Sequence, residues 1–336
     1  MPVSAAAWPD IGEILEVTKV VRLPLRVRFR GLDHREAVLM RGPQGWSEFA
    51  PFVEYDDREA AWWLAAGLEA GWGSVPPPVR DWVSVNATVP AVSAKQVAPI
   101  LARFAGCQTA KVKVAQAGQR LSDDIARVSA VRDVLGPEAA IRVDANAAWD
   151  LDQATDAITR LSAYDLEYAE QPVAEVDDLA RLRVRLAAVG ISVPIAADES
   201  IRRAADPMEV ARKEAADVIV VKVAPLGGVA RVLEVVDDCG LPAVVSSALD
   251  TSVGISAGLA LACALPDLSH ACGLGTVTLL ARDVAPEPLL PVDGALTRAQ
   301  ARSSLASIGV LGSNVLADAE RTRWWRDRLS RCWSLL

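Results

Sequence analysis

From about residue 81 onward, short apolar runs alternate with segments of helix length: VSVNATV, AKVKV, AIRVDAN, LEYAEQP, VPIAADES, DVIVVKVAP, PAVVSSA and LSHACGL. Runs of this length bounded by turn residues read as buried strands, and the repeated strand-then-helix order reads as a parallel (β/α) barrel rather than an open sheet. The second to sixth runs end at or near Lys113, Asp144, Glu170, Asp198 and Lys222. Successive intervals of 31, 26, 28 and 24 residues each hold one strand, one helix and two loops. In such a barrel the C-terminal strand ends form one rim, where active sites sit. Order along the chain then becomes order around a ring, with three carboxylates between two lysines.

Before residue 81 the pattern changes. Apolar and polar positions alternate through EILEVTKVVRLPLRVRFR and EAVLMRG between residues 13 and 53, which predicts an antiparallel meander broken at Gly31-Leu32-Asp33-His34. EAAWWLAAGLEAG predicts a helix stopped by Gly71, and Pro76-Pro77-Pro78 a stiff connection and domain boundary. After about residue 288 the repeat ends, and ADAERTRWWRDRLSRCW predicts an amphipathic helix folding back on the meander. The expected organisation is an α+β capping domain over 1–80, a modified TIM barrel over 81–288, and a segment over 289–336 that completes the cap.

Composition narrows the function. The 336 residues carry a net charge of −8, which argues against nucleic acid or an anionic membrane as partner. A small carboxylate substrate therefore needs a local metal or lysines to reverse the sign. The longest uncharged stretch in the C-terminal half, Thr251 to Pro266, spans 16 residues and contains Gly254 and Gly258; it is short for a membrane span and suits a buried helix. MPVSAAAWPD has no basic stretch leading into an apolar core, so a cytoplasmic protein is expected. Five cysteines without CxxC spacing and only two histidines speak against a disulfide framework or a zinc site. Monomer and homo-oligomer both remain open.

Residues two apart on a strand share a face, so Lys111 and Lys113 point together, as do Arg142, Asp144 and Asn146. Lys113 lies nearer the rim and Lys111 one layer deeper, where its charge is expected to lower the pKa of Lys113 toward that of a working base. Taken alone, a KxK pair also describes solvated lysines on an exposed strand, and a single acidic residue at a strand end also describes a helix N-cap. Lysine, however, is scarce: six of the 35 Lys and Arg residues are lysine, and three of those six fall at predicted strand ends. Three carboxylates on one period make a hard oxygen donor set suited to Mg²⁺, with Mn²⁺ accepting the same oxygens. An ion there would neutralise the enediolate formed when a carboxylate substrate loses its α-proton, leaving the lysines to move the proton.

The runs KVKV, RVDANAAWD, EQP, ADES and VVKVAPLGG resemble the enolase superfamily, in the muconate-lactonizing subgroup with KxK on the second barrel strand and a lysine on the sixth. WSEFAP at 46–51 extends the likeness into the cap. The resemblance implies that Asp144, Glu170 and Asp198 bind Mg²⁺ and that Lys113 and Lys222 flank the substrate. RVDAN and SSALDTSVG are most similar to the o-succinylbenzoate synthase family, which dehydrates 2-succinyl-6-hydroxy-2,4-cyclohexadiene-1-carboxylate to 2-succinylbenzoate in menaquinone biosynthesis. Carried over, Lys113 takes the α-proton and returns it to the leaving hydroxyl on the same face, a syn elimination, while Lys222 stays charged opposite. Arg142 and Asn146 are candidates for contacts to substrate or ligands, and Glu199 for pairing with a lysine. Ser246, Ser247 and Gly273, in the Gly273-Leu274-Gly275 loop, are candidates for offering backbone N–H groups to a substrate carboxylate. Phe29-Arg30-Gly31-Leu32 resembles the family's mobile capping loop.

Three other readings start from the same residues. An N-acylamino acid racemase or dipeptide epimerase shares the Lys/Mg/Lys frame, but the epimerases usually carry DxD at the eighth strand, where this chain has HACGLGT. Muconate cycloisomerase would place a carboxylic acid between His270 and Leu280, and none is present. A non-catalytic binding barrel predicts losses among the three carboxylates and two lysines, and all five are retained.

Overall fold

The computed structural model describes residues 8–203 and 206–336, so most of the N-terminal stretch read for a targeting signal lies outside them. Three strands, β1 (Lys19–Phe29), β2 (Leu32–Gly42) and β3 (Gly45–Phe49), form the antiparallel meander. Two details differ from the expected pattern. Residues Ile11–Glu16 are a helix, because Asp10 caps it by accepting from the Gly12 amide at 2.7 Å and Ile14 packs inward. The break between β1 and β2 is only Arg30-Gly31, whose φ values of 51° and 77° make a tight hairpin turn, so Leu32 to His34 belong to the strand.

The helix Asp57–Trp72 runs past Gly71. Gly71 is not a stop; it and Gly67 are points of close approach to the sheet. A Cβ at Gly67 would lie 2.8 Å from Met40 Cε and 2.9 Å from the Glu48 carbonyl oxygen. The C-terminal helix Ala319–Trp333 closes this layer: Trp325, Leu329 and Cys332 are buried with Phe49, Trp63 and Leu64, and Trp325 Nε1 donates to Glu36 at 2.8 Å. Leu296 and Ala301, by contrast, are buried in the barrel core.

The strand β4 (Trp82–Ser84) pairs antiparallel with a late strand, Ala295–Thr297, outside the barrel. The barrel itself comprises β5 (Ala87–Val89), β6 (Thr109–Lys113), β7 (Ala140–Asp144), β8 (Leu166–Glu170), β9 (Ile195–Ala197), β10 (Val218–Val221) and β11 (Ala243–Val245), parallel and adjacent in chain order. The eighth apolar run does not form a strand. Its Cys272 amide donates to Ser84 O and its Gly273 amide to Val245 O, so single bridges on each side close the ring without a continuous ladder. Alternating side chains divide two cores. Val112, Ile141, Val143, Ala169 and Ile219 pack outward under the helices, while Tyr168, Ala196, Val218, Val220 and Val244 fill the barrel interior. No helix among the described residues is long and apolar enough to cross a membrane.

Candidate active site

Strand register brings the candidate residues to one level. Lys113 on β6 is paired with Asp144 on β7, Asp144 with Glu170 on β8, and Glu170 with Ala196 on β9. Asp198 lies two residues beyond Ala196, on the same side and one step nearer the rim. Lys222 directly follows β10, four strands around from β6. In a ring of eight, those two positions face each other. Lys111, Arg142 and Tyr168 form the layer beneath, by the same register.

A narrow pocket opens above this rim. Lys113, Asp144, Asp198 and Lys222 line it, and Asp144, Glu170 and Asp198 are each only 1% exposed. Lys113 bonds Asp144 and, at 2.7 Å, Asn146 Oδ1; Lys222 bonds Asp198; Lys111 bonds both Glu170 oxygens at 3.0 and 3.1 Å. With ammonium groups between the carboxylates, no three acidic, His or Cys side chains among the described residues are grouped to hold an ion as they stand.

Burial opposes charge at every one of these groups, and their neighbours decide which wins. At Asp144 the nearby Lys113 and Lys111 outweigh burial and hold the carboxyl at about 2. Asp198 is held well below the usual carboxylate range, since Lys222 and Arg202 overcome its burial. Glu170 goes the other way: burial and the Asp144 charge push it up to about 7 despite Lys111. Lys111 is kept protonated, because Glu170 and Asp144 outweigh its burial, whereas burial lowers Lys222 against the pull of Asp198.

The remaining candidates divide. Asn146 lines the cavity and joins Lys113 to Glu199, donating to Glu199 Oε1 at 3.3 Å. Glu199 pairs with Arg202 at 2.6 Å and with no lysine, because the helical turn Glu199–Arg202 places the arginine three residues on. Arg142 is fully buried below the rim, bonded to Glu167, to Asn86 at 3.3 Å and to Ala271 O at 2.7 Å, and does not line the cavity. Ser246, Ser247 and Gly273 do line it, but the Ser246 and Gly273 amides are engaged with Val221 O and Val245 O. Those two N–H groups are not free to receive a carboxylate. The sequence reading missed Arg202, Phe52 and Thr88, all on the cavity wall. Arg202 had one available signal, its position one helical turn after Asp198.

Residues 94–302 match the family described as Enolase C-terminal domain-like, and residues 20–71 that described as Enolase N-terminal domain-like. Over 329 residues the chain is 53% identical to the o-succinylbenzoate synthase of Mycolicibacterium smegmatis, covering 98% of each chain. It is 51% identical over 329 residues to that of Mycobacterium tuberculosis, covering 98% of this chain and 97% of the other. The chain belongs to the o-succinylbenzoate synthase family of the enolase superfamily. Among solved structures, this superfamily member shares its fold with the muconate lactonizing enzyme of Pseudomonas fluorescens complexed with muconolactone, at a TM-score of 0.70 and 22% identity over 91% of this chain and 97% of the other. It shares that fold also with the L-Ala-D/L-Glu epimerase of Bacillus subtilis, at a TM-score of 0.70 and 21% identity over 83% of this chain and 94% of the other.

Proposed function

We infer that the chain is a carbon–oxygen lyase catalysing the o-succinylbenzoate synthase reaction, loss of water from 2-succinyl-6-hydroxy-2,4-cyclohexadiene-1-carboxylate to give 2-succinylbenzoate. The observation that carries this reading is the 53% identity over 98% of both chains with the relative of that name. The rim supplies the means. Lys113 takes the proton from the ring carbon bearing the carboxylate, and the C–H electron pair enters the ring as a double bond. The resulting ammonium hands the proton to the departing hydroxyl on the same face, so water leaves and the ring becomes aromatic. Lys222, across the barrel and bonded to Asp198, adds positive charge against the other face.

Mg²⁺ fits this donor set, and Mn²⁺ offers the same coordination preferences. Asp144, Glu170 and Asp198 would hold it: three hard oxygen ligands on adjacent strands, of which Glu170 is left with its carboxyl raised to about 7 by burial and its acidic neighbour. When bound, such an ion supplies positive charge beside the substrate carboxylate, where negative charge builds as the proton leaves. The cap, built from the meander and the C-terminal helix, would cover the site through Phe29, Arg30 and Phe52. All five cysteines are buried and unpaired, which suits a reducing compartment such as the cytoplasm.

The test is to incubate the protein with Mg²⁺ and the cyclohexadiene, following the diene absorbance and identifying the product by its aromatic proton signals. In parallel, an N-succinylamino acid in D₂O is followed for exchange of its α-proton. Rapid loss of the diene with little exchange is expected. Fast exchange without dehydration would overturn the assignment in favour of the racemases and give Lys222 a proton-transfer role.

A further inference from the structure

Arg202 is 7% exposed, and all three nitrogens of its guanidinium are engaged. Nε donates to Asp198 Oδ1 at 3.1 Å, Nη2 to Glu199 Oε1 at 2.6 Å, and Nη1 to the Tyr55 hydroxyl at 2.9 Å. The first two partners belong to the barrel rim, while Tyr55 comes from the cap, 147 residues away. Tyr55 is itself rigidly held. Its ring packs edge-on against Phe52 at 5.5 Å, its amide donates to Phe52 O, and Arg328 of the C-terminal helix donates to both Phe52 O and Tyr55 O.

A continuous polar chain results. It runs from Arg328 through the Phe52–Tyr55 turn to Arg202, then to Asp198 on one branch. On the other it passes through Glu199 and Asn146 to Lys113. Arg202 thus directly fixes Asp198 Oδ1, the oxygen bonded to Lys222, and reaches Lys113 only through Glu199 and Asn146. Phe52, on the same turn as Tyr55, lines the cavity together with Arg202. A shift of the cap that moved this wall would also pull on the guanidinium orienting Asp198.

We propose that Arg202 and Tyr55 are positioning residues that tie the docking of the cap to the orientation of Asp198, so that metal affinity at the rim depends on a cap hydroxyl touching no carboxylate ligand. The proposal rests on the assignment of Asp198 as a metal ligand. Partners that orient a ligating carboxylate from behind are worth about 10–100-fold in metal affinity. Arginine is suited to the task because its planar fork fixes three acceptors at once, which lysine cannot do.

The experiment measures Mn²⁺ binding to the full, substrate-free chain by electron paramagnetic resonance, for the wild type, Tyr55→Phe, Arg202→Lys and the double variant. Thermal unfolding of each metal-free protein serves as the control for folding. Arg202→Lys is expected to weaken Mn²⁺ binding by at least about tenfold. Tyr55→Phe is expected to weaken it by a smaller factor with an unchanged metal-free unfolding temperature, and to have no further effect once Arg202 is lysine. A purely structural role would lower the unfolding temperature and leave affinity alone. The link is overturned if Tyr55→Phe leaves Mn²⁺ affinity unchanged or if its effect adds in full to that of Arg202→Lys. Absence of Mn²⁺ binding in the wild type would instead overturn the metal-site assignment and this proposal with it.

Discussion

Lys113→Ala is expected to reduce dehydration by about 10²–10⁴-fold, the usual loss when a positioned acid/base group is removed, while Mn²⁺ binding persists. The separation of the two effects follows from the geometry. Lys113 reaches the cavity from the strand next to Asp144, and its removal leaves Asp144 still facing Lys111 at 3.7 Å. The carboxylates keep their places, and only the group that carries the proton is gone. Alanine also leaves Asn146 Oδ1 without its lysine partner, a small structural cost beside the catalytic one. Steady-state turnover of the diene, with metal binding measured on the same preparation, decides the matter. Turnover within about tenfold of the wild type would remove Lys113 from the role of base.

The second large effect lies away from the rim, at the seam between cap and barrel. Glu48 on β3 reaches the loop after β11, where its Oε2 accepts from the Thr251 amide at 3.2 Å and from the Thr251 hydroxyl. Asp250 stands beside it: a Cβ on Gly254 would meet both Asp250 Cβ, at 2.7 Å, and Glu48 Oε1, at 2.9 Å. Burial first, and then the Asp250 charge, push Glu48 up to about 8, with Asp283 adding to the rise and Arg35 and the Thr251 hydroxyl opposing it. The folded state therefore holds a proton that the unfolded chain releases near 4.5. Stability contributed by that proton is full below about 4.5 and is lost as pH rises toward about 8, each unit of separation being worth about 1.4 kcal/mol.

Glu48→Gln keeps the acceptor for Thr251 and presents an amide N–H₂ in place of the carboxyl proton, with no charge to release. The stability of this variant relative to the wild type is accordingly expected to rise by several kcal/mol between about pH 5 and about pH 8. Urea unfolding across that range measures it. A difference between the two proteins that does not change with pH would show that Glu48 is ionised throughout.

The residues that were legible in the sequence share one property: each ends an apolar strand, so the period of the barrel reported them. Lys113, Asp144, Glu170, Asp198 and Lys222 needed only the rule that side chains alternate and that strand ends converge. Arg202 and Tyr55 were not legible, because their contact joins segments from the cap and the barrel that no local period relates. The closeness of Glu48 to Asp250 was hidden for the same reason. Gly71 and the Ile11–Glu16 helix were misread locally. Gly71 marks where a helix approaches a sheet rather than where it ends, and the alternation in EILEV yielded to the Asp10 cap. The role first given to the Ser246 and Gly273 amides failed on accounting, since closing the barrel already uses those donors.

The most direct test of the whole account is a metal titration of the reaction itself. Protein stripped by a chelator is mixed with the cyclohexadiene substrate, and Mg²⁺ is added back while the diene absorbance is followed. The account predicts no turnover before the addition and saturation at one ion per chain. Full turnover in the chelator, or none at any Mg²⁺ concentration, would contradict it.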